Sequence, residues 1–251
     1  MNRLELTRFP GLDYACKEAV NTLCTNLTFM GKNRKTIMIT SCQAHEGKSF
    51  LSLCVQRNLA RLGYRTVLVD LDLRKSVIAS RYGMRFMNEE KRGSVHYLAG
   101  KASLNDVLYE TEVPGAYMIP VGQTVTNSLT LLHHGGMLKQ MLDQLKSVFD
   151  FVIVDAPPVG LVIDAAEIAK SCEGTILVTK YNSVSRKELQ DAKQQIEHSG
   201  CEILGVVLNE VSFESLSSKK YYHKSYYSHY DSHYYKPSSS TKATEKTAKK
   251  N

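Results

Sequence analysis

The sequence predicts an α/β fold, a parallel sheet flanked by helices on both faces, followed by a disordered, tyrosine-rich C-terminal tail. Three observations carry this reading. Short continuous apolar runs, of the kind buried on both faces of a sheet, alternate with stretches of helical period. Hydrophobic residues make up 43% of the 251, enough for a full core. The composition then changes after about Phe213. Seven of the chain's 14 tyrosines fall between Tyr221 and Tyr235, where almost nothing else is apolar.

Taken in order, residues 1–34 read as an N-terminal helical segment, 35–213 as the α/β domain and 214–251 as the tail. Residues 36–40 make the first strand, and a helix runs from about 48 to 62, closed by Gly63 just past its last turn. Residues 66–70 make a strand buried on both faces. Between 76 and 115 the pattern is weak, with one helical stretch at 104–108. A strand follows at 117–120, then one long helix over 129–148 with His133, His134, Gly135 and Gly136 near its start. The remainder alternates: strand 151–155, helix 163–171, strand 175–179, helix 185–199, strand 203–208. Ligands of such sheets bind at the C-terminal ends of the strands. The polar loops after Thr40, Asp70 and Asp155 should therefore gather at one edge.

Composition excludes several classes. Apolar runs such as 67–69 and 151–154 fall far short of the ~20 residues of a membrane helix. Residues 1–10 lack the apolar stretch of a secretory signal. Both point to a cytoplasmic protein. The net charge of +7 is concentrated at the end, where residues 216–251 carry eight lysines against Asp231 and Glu245. The body is near neutral, so no nucleic-acid partner is expected. Cys16, Cys24, Cys42, Cys54, Cys172 and Cys201 match no zinc or disulfide spacing and read as reduced thiols.

The chemistry concentrates in three segments. Residues 42–49, Cys-Gln-Ala-His-Glu-Gly-Lys-Ser, lie between a strand and a helix. They match the end of a P-loop, G-x-x-x-x-G-K-[ST], with Cys42 in place of the first glycine. Loop amides and the positive helix end wrap phosphates, Lys48 reaches the outer ones and the Ser49 hydroxyl suits Mg²⁺. Taken alone, Gly47-Lys48-Ser49 could also be an ordinary helix start. Asp70 and Asp72 stand two residues apart at a strand end, a spacing that turns both the same way. Asp155 ends a buried apolar strand, where a carboxylate needs a partner; alone it could be a turn residue before Pro157. Three carboxylates and a P-loop remnant at three strand ends exceed what capping requires. His133 and His134 read as a solvated helix start, and Tyr14, Tyr64 and Tyr82 as packing residues.

These segments resemble the bacterial protein-tyrosine kinase (BY-kinase) family of capsular and exopolysaccharide synthesis. The resemblance covers essentially the whole chain. Residues 47–49 resemble its Walker A motif, 67–74 its Walker A′, 151–158 its Walker B, and 205–209 and the terminal tyrosines its later features. Glu18-Ala19 and Thr25-Asn26-Leu27 resemble its N-terminal helix motif. The resemblance implies a P-loop NTPase-like sheet and an autokinase using ATP and Mg²⁺. It implies nucleotide contacts from Gln43, Ala44, His45, Glu46, Gly47, Lys48, Ser49, Phe50, Arg74 and Asn209. Ser49, Asp72 and Asp155 would hold the metal, and Lys48, Asp70 and Asp72 would be catalytic, with Asp70 as base. The acceptors would be Tyr221, Tyr222, Tyr226, Tyr227, Tyr230, Tyr234 and Tyr235. The implied partners are a membrane chain-length-determinant-like adaptor, which recruits the kinase to the inner face of the plasma membrane, and a cognate tyrosine phosphatase.

Two departures matter. The family usually has Pro-Gly where Ala44 and His45 stand, and His tolerates unusual backbone angles less well than Gly. The family's self-association helix usually reads Glu-x-x-Arg-x-x-Arg, whereas Glu18 is followed here by Asn21 and Cys24. A catalytically weak nucleotide-binding scaffold and a partitioning-type P-loop ATPase are the competing readings. The latter class usually has a lysine at the position of Gln43 and lacks a tyrosine-rich tail.

Overall fold

The structure is a computed structural model that describes residues 2–31, 34–87 and 91–211. Among the described residues nine strands form one sheet, in the order β4 (Met84–Phe86), β1 (Asn2–Leu6), β5 (Tyr109–Glu110), β6 (Ala116–Ile119), β3 (Thr66–Asp70), β7 (Phe151–Asp155), β2 (Thr36–Ser41), β8 (Gly174–Lys180), β9 (Ile203–Asn209). Its centre is built from β2, β3, β6, β7, β8 and β9, all parallel.

Alternation divides each central strand between two apolar layers. Ile37, Ile39, Leu68, Ile153, Ile176 and Val178 face one side. There α1 (Tyr14–Phe29) and α2 (Lys48–Arg61) cover them with Val20, Cys24, Leu27, Leu53 and Leu59. Met38, Val67, Val69, Val152, Val154 and Leu177 face the other side. Here α7 (Met137–Val148), α8 (Asp164–Ala169) and α9 (Arg186–His198) supply Met141, Leu142, Leu145, Ile168 and Ile196. The flanking helices expected on both faces are present.

Three expectations are corrected. Residues 1–34 are not wholly helical: β1 (Asn2–Leu6) opens the chain. It pairs antiparallel with β4 (Met84–Phe86) and parallel with β5 (Tyr109–Glu110), with Leu4 and Leu6 turned inward. The sheet is consequently mixed, since β5 also runs antiparallel to β6. The helix read over 129–148 is broken into α6 (Ser128–Leu132), a single 3₁₀ turn at His134–Gly136, and α7. Gly135 and Gly136 take φ of 53° and 72°, left-handed values that end one helix and cap the next. Tyr14 is 69% exposed and packs into no core, whereas Tyr82 is buried and Tyr64 meets Phe151 edge-on. The weak stretch contains α3 (Ile78–Tyr82), α4 (Ser94–Leu98) and α5 (Leu104–Val107), each at most five residues long.

Candidate active site

Register and alternation bring the acidic residues together. Asp70 and Asp155 are direct partners across β3 and β7. Each lies two residues beyond a side chain of the α2-side layer, Leu68 and Ile153, so both face the start of α2. That start is the P-loop, and the first helical bond runs from Leu51 N to Gly47 O at 2.9 Å.

Lys48 sits at the centre, buried, with Nζ 2.9 Å from Asp72 Oδ2, 3.7 Å from Asp155 Oδ1 and 3.2 Å from Ser49 Oγ. Burial alone would lower its pKa, but the charges of Asp155 and Asp72 outweigh burial and raise it. Asp70 is held well above the usual carboxylate range, first by burial and then by the charge of Asp155. Its oxygens accept from Asp72 N at 3.2 Å and from Ser76 Oγ. Burial also pushes the Asp155 carboxyl up, with Lys48 and Ser49 pulling against it. Three carboxylates thus face one ammonium.

The fit to a divalent cation rests on one atom. Asp155 Oδ2 is buried and has no hydrogen-bond partner, a costly state for a carboxylate oxygen. Its other oxygen accepts from Ser52 Oγ at 3.2 Å. A cation between Ser49 and the Asp155 and Asp72 carboxylates would satisfy it and balance the excess negative charge. Among the described residues no three His, Cys, Asp or Glu side chains form a ready metal cage. Mg²⁺ bound to nucleotides characteristically takes one or two carboxylates and completes its shell from phosphates and water.

A cavity of about 250 Å³ opens over these groups. Ala44, His45, Gly47, Lys48, Ser49, Phe50, Asp72 and Arg74 border it, together with Pro157, Pro158, Leu161 and Val162. Asp72 stands at the wall, and Asp70 and Asp155 lie behind it, each 1% exposed. Two residues read as nucleotide contacts turn their side chains away. Gln43 Nε2 donates to Glu188 Oε1 at 2.8 Å. The Glu46 carboxylate accepts from Gln43 N, Lys180 N, Thr179 Oγ1 and Ser183 Oγ between 2.7 and 3.2 Å. Glu46 is therefore a brace that fastens the P-loop to the end of β8.

Asn209 braces the loop from β9. Its Nδ2 donates to Glu46 O at 3.0 Å, and a Cβ on Gly47 would meet that nitrogen at 2.0 Å. With its φ of 93°, Gly47 is fixed as glycine on two grounds. Cys42 replaces the first P-loop glycine without strain, since it has no positive φ. Its thiol is pushed up to about 12, by burial and then by Glu46 and Glu188. The strain falls on His45, at φ 65°, where a side chain costs roughly 1–2 kcal/mol.

Arg74 is held by Asp164, with Nε to Oδ2 at 2.9 Å and Nη2 to Oδ1 at 3.1 Å. Ser128 Oγ also donates to Asp164. Burial works to raise the Asp164 pKa, yet Arg74 and Ser128 hold it below the usual value. This knot joins the loop after β3 to the starts of α6 and α8. Sequence reasoning missed Asp164 and Ser128, which lie 90 and 54 residues from Arg74 with no local pattern to link them. The acceptor positions Tyr221 to Tyr235 lie outside the described residues.

Sheet, P-loop and carboxylates together define a P-loop nucleotide-binding fold of the phosphoryl-transfer class. A family model described as an AAA domain matches residues 34–200. The chain is 39% identical over 196 residues to the tyrosine-protein kinase CpsD of Streptococcus agalactiae serotype Ia, covering 78% of this chain and 83% of that one. It is 32% identical over 196 residues to the tyrosine-protein kinase Etk of Escherichia coli, covering 77% of this chain and 26% of that much longer relative. The solved kinase domain of E. coli Etk superposes with a TM-score of 0.70 at 31% identity, over 78% of this chain and 77% of that domain. A septum site-determining protein MinD from Pyrococcus horikoshii, solved with Mg-ADP, gives 0.58 at 24% identity over 70% of each chain, a likeness of fold alone. The chain belongs to the bacterial tyrosine-kinase (BY-kinase) family and is a protein-tyrosine kinase. Among the described residues no helix is long and apolar enough to cross a membrane.

Proposed function

We propose that the chain transfers the terminal phosphoryl group of ATP to its own tyrosines Tyr221, Tyr222, Tyr226, Tyr227, Tyr230, Tyr234 and Tyr235, in trans between copies, and thereby regulates capsular or exopolysaccharide synthesis and export. The observation that carries this reading is the packing of Lys48 against Asp72 and Asp155, beside an orphaned Asp155 oxygen, at the floor of the cavity. Lys48 and the loop amides hold the phosphates. Ser49, Asp72 and Asp155 would hold Mg²⁺, which when bound would supply neutralisation of phosphate charge. In the transfer, the phenol oxygen bonds the terminal phosphorus. The bond to the bridging oxygen breaks, and its electron pair leaves on the nucleoside diphosphate.

The phenol proton passes to Asp70, whose affinity for it is raised by burial and by Asp155. Because Asp72 forms the wall in front of Asp70, comparing Asp70→Asn with Asp72→Asn identifies the accepting carboxylate. The acceptor tyrosines lie outside the described residues, and transfer between copies is the reading drawn from the family resemblance. The adaptor, the phosphatase and recruitment to the membrane are supported by the family resemblance. The partitioning reading has only likeness of fold behind it.

The test is incubation of the full chain with Mg-ATP and an adaptor fragment, followed by phosphotyrosine mapping. Phosphate on the terminal tyrosines, lost in Lys48→Met, supports the reading. Phosphotyrosine that persists in Lys48→Met refutes it.

A further inference from the structure

Four cations border the cavity, and they divide into two pairs. Lys48 is taken by Asp72 and Asp155, and Arg74 by Asp164. Lys75 and Arg81 have no carboxylate at ion-pair distance among the described residues, and both are exposed.

Their placement is tied to the reacting groups. Lys75 N donates to Asp72 Oδ1 at 3.1 Å, and the next residue, Ser76, donates its hydroxyl to Asp70. Lys75 is thus carried on the turn that fixes both carboxylates, with its own ammonium left over. The same cavity that Lys48 and Ser49 border is also lined by Lys75, Arg81 and the apolar side chains of Phe50, Val77, Leu161 and Val162. Leu161 is 60% exposed. An apolar lining suits a phenyl ring, and two cations without a carboxylate partner on the same lining suit a phosphate dianion.

The sequence outside the described residues complements this. Six of the seven terminal tyrosines come as adjacent pairs, Tyr221-Tyr222, Tyr226-Tyr227 and Tyr234-Tyr235. The seventh, Tyr230, precedes Asp231, one of only two acids against eight lysines from Leu216 onward. Unmodified, this segment offers Lys75 and Arg81 almost nothing to hold. Each phosphotyrosine adds roughly −1.5 to −2 charges.

We infer that Lys75 and Arg81 form a phosphotyrosine-reading subsite, which holds the phosphate of a modified tyrosine while its neighbour's phenol enters the transfer site. This rests on the reading that the terminal tyrosines are the substrate. The subsite makes no covalent bond; the transfer it assists is the one written above. Tyr230 is then the first acceptor, guided by Asp231, and the second member of each pair follows the first faster than the first was modified.

The test uses the full chain with its seven terminal tyrosines changed to Phe, so that only added peptide accepts phosphate. Two peptides of sequence 219–224 are compared, one unmodified and one carrying phosphate on Tyr221. The phosphorylated peptide is expected to show about tenfold or more higher kcat/KM, the scale of one charge-assisted hydrogen bond. In Lys75→Ala/Arg81→Ala the ratio falls to about one. A direct binding measurement covers loss of activity. A peptide with phosphotyrosine followed by Phe should bind the parent about tenfold more tightly than the double variant. Equal kcat/KM for the two peptides in the parent, or a preference that survives in the double variant, overturns the subsite. Failure of the parent on both peptides, with no phosphate on the tail of the unaltered chain, overturns the substrate reading and the subsite with it.

Discussion

The two ends of the central strands treat charge in opposite ways. At the N-terminal end, Glu173 accepts from Lys35 N at 2.7 Å, Thr36 N at 3.0 Å and Lys146 Nζ at 3.3 Å. Lys35 Nζ reaches the carbonyls of Lys146 and Phe149, and Asp150 accepts from Arg65 N. Burial works against the Glu173 carboxylate, but those backbone amides and Lys146 bring its pKa below the usual value. At the C-terminal end, three carboxylates share one ammonium, and Asp155 Oδ2 has no partner. Asp70 and Asp155 are both pushed up. The same sheet closes its electrostatic accounts at one end and leaves them open at the other. Charge that serves the fold is saturated, whereas charge that serves chemistry is left for a ligand to complete.

Substitutions can break this contrast. The largest effect is expected from Lys48→Met, which removes the one cation that, among the described residues, pairs with Asp72 and Asp155. Phosphoryl transfer to tyrosine should fall by about 10²–10³-fold or more, read by radiolabel from γ-labelled ATP. Next is Asp70→Asn, expected to lose about 10²-fold in transfer while the apo protein gains stability. The sign follows from linkage. Asp70 is raised in the fold, so its contribution is fully present below the unfolded carboxylate pKa and is lost as pH rises through its folded value. The advantage of Asp70→Asn should therefore widen with pH, by at most about 1.4 kcal/mol per unit, in urea melts across pH 4–8.

Glu173→Gln sharpens the comparison because its sign is reversed. A depressed carboxylate contributes above its unfolded pKa and loses that contribution as pH falls through its folded one. This variant should be less stable than the parent at neutral pH, with the gap closing in acid and no change in transfer at fixed folded fraction. A gap that widens in acid would contradict the balanced state of that end. The smallest effect belongs to His45→Gly. Relief of the left-handed φ, offset by glycine's added chain entropy, should leave a net gain of under ~1 kcal/mol, with a lower KM for ATP.

Much of the centre was legible because burial on both faces writes an unbroken apolar run. Phe151–Asp155 and Thr66–Asp70 are strands at the bounds the sequence indicated, each ending in its carboxylate. The edge was less legible. Tyr109–Glu110 is too short to show a period, and Asn2–Leu6 shows only one alternation, Leu4 with Leu6. Gly135 and Gly136 lie inside an otherwise helical pattern, and only their left-handed φ reveals that they divide it. At the site, Lys48, Asp70, Asp72 and Asp155 lie in or beside motifs of fixed local spacing. The side chain of Glu46 did not read from its motif, because its partners at the end of β8 and in the turn after it lie 133 to 137 residues away. The hold of Asp164 on Arg74 is a tertiary fact of the same kind.

The brace that Glu46 and Asn209 make around the P-loop has a thermodynamic consequence. A seat whose backbone is fastened in advance requires no ordering step when the nucleotide arrives. The cost of ordering the loop is then met on folding, and less of the nucleotide's binding energy goes into arranging its own seat.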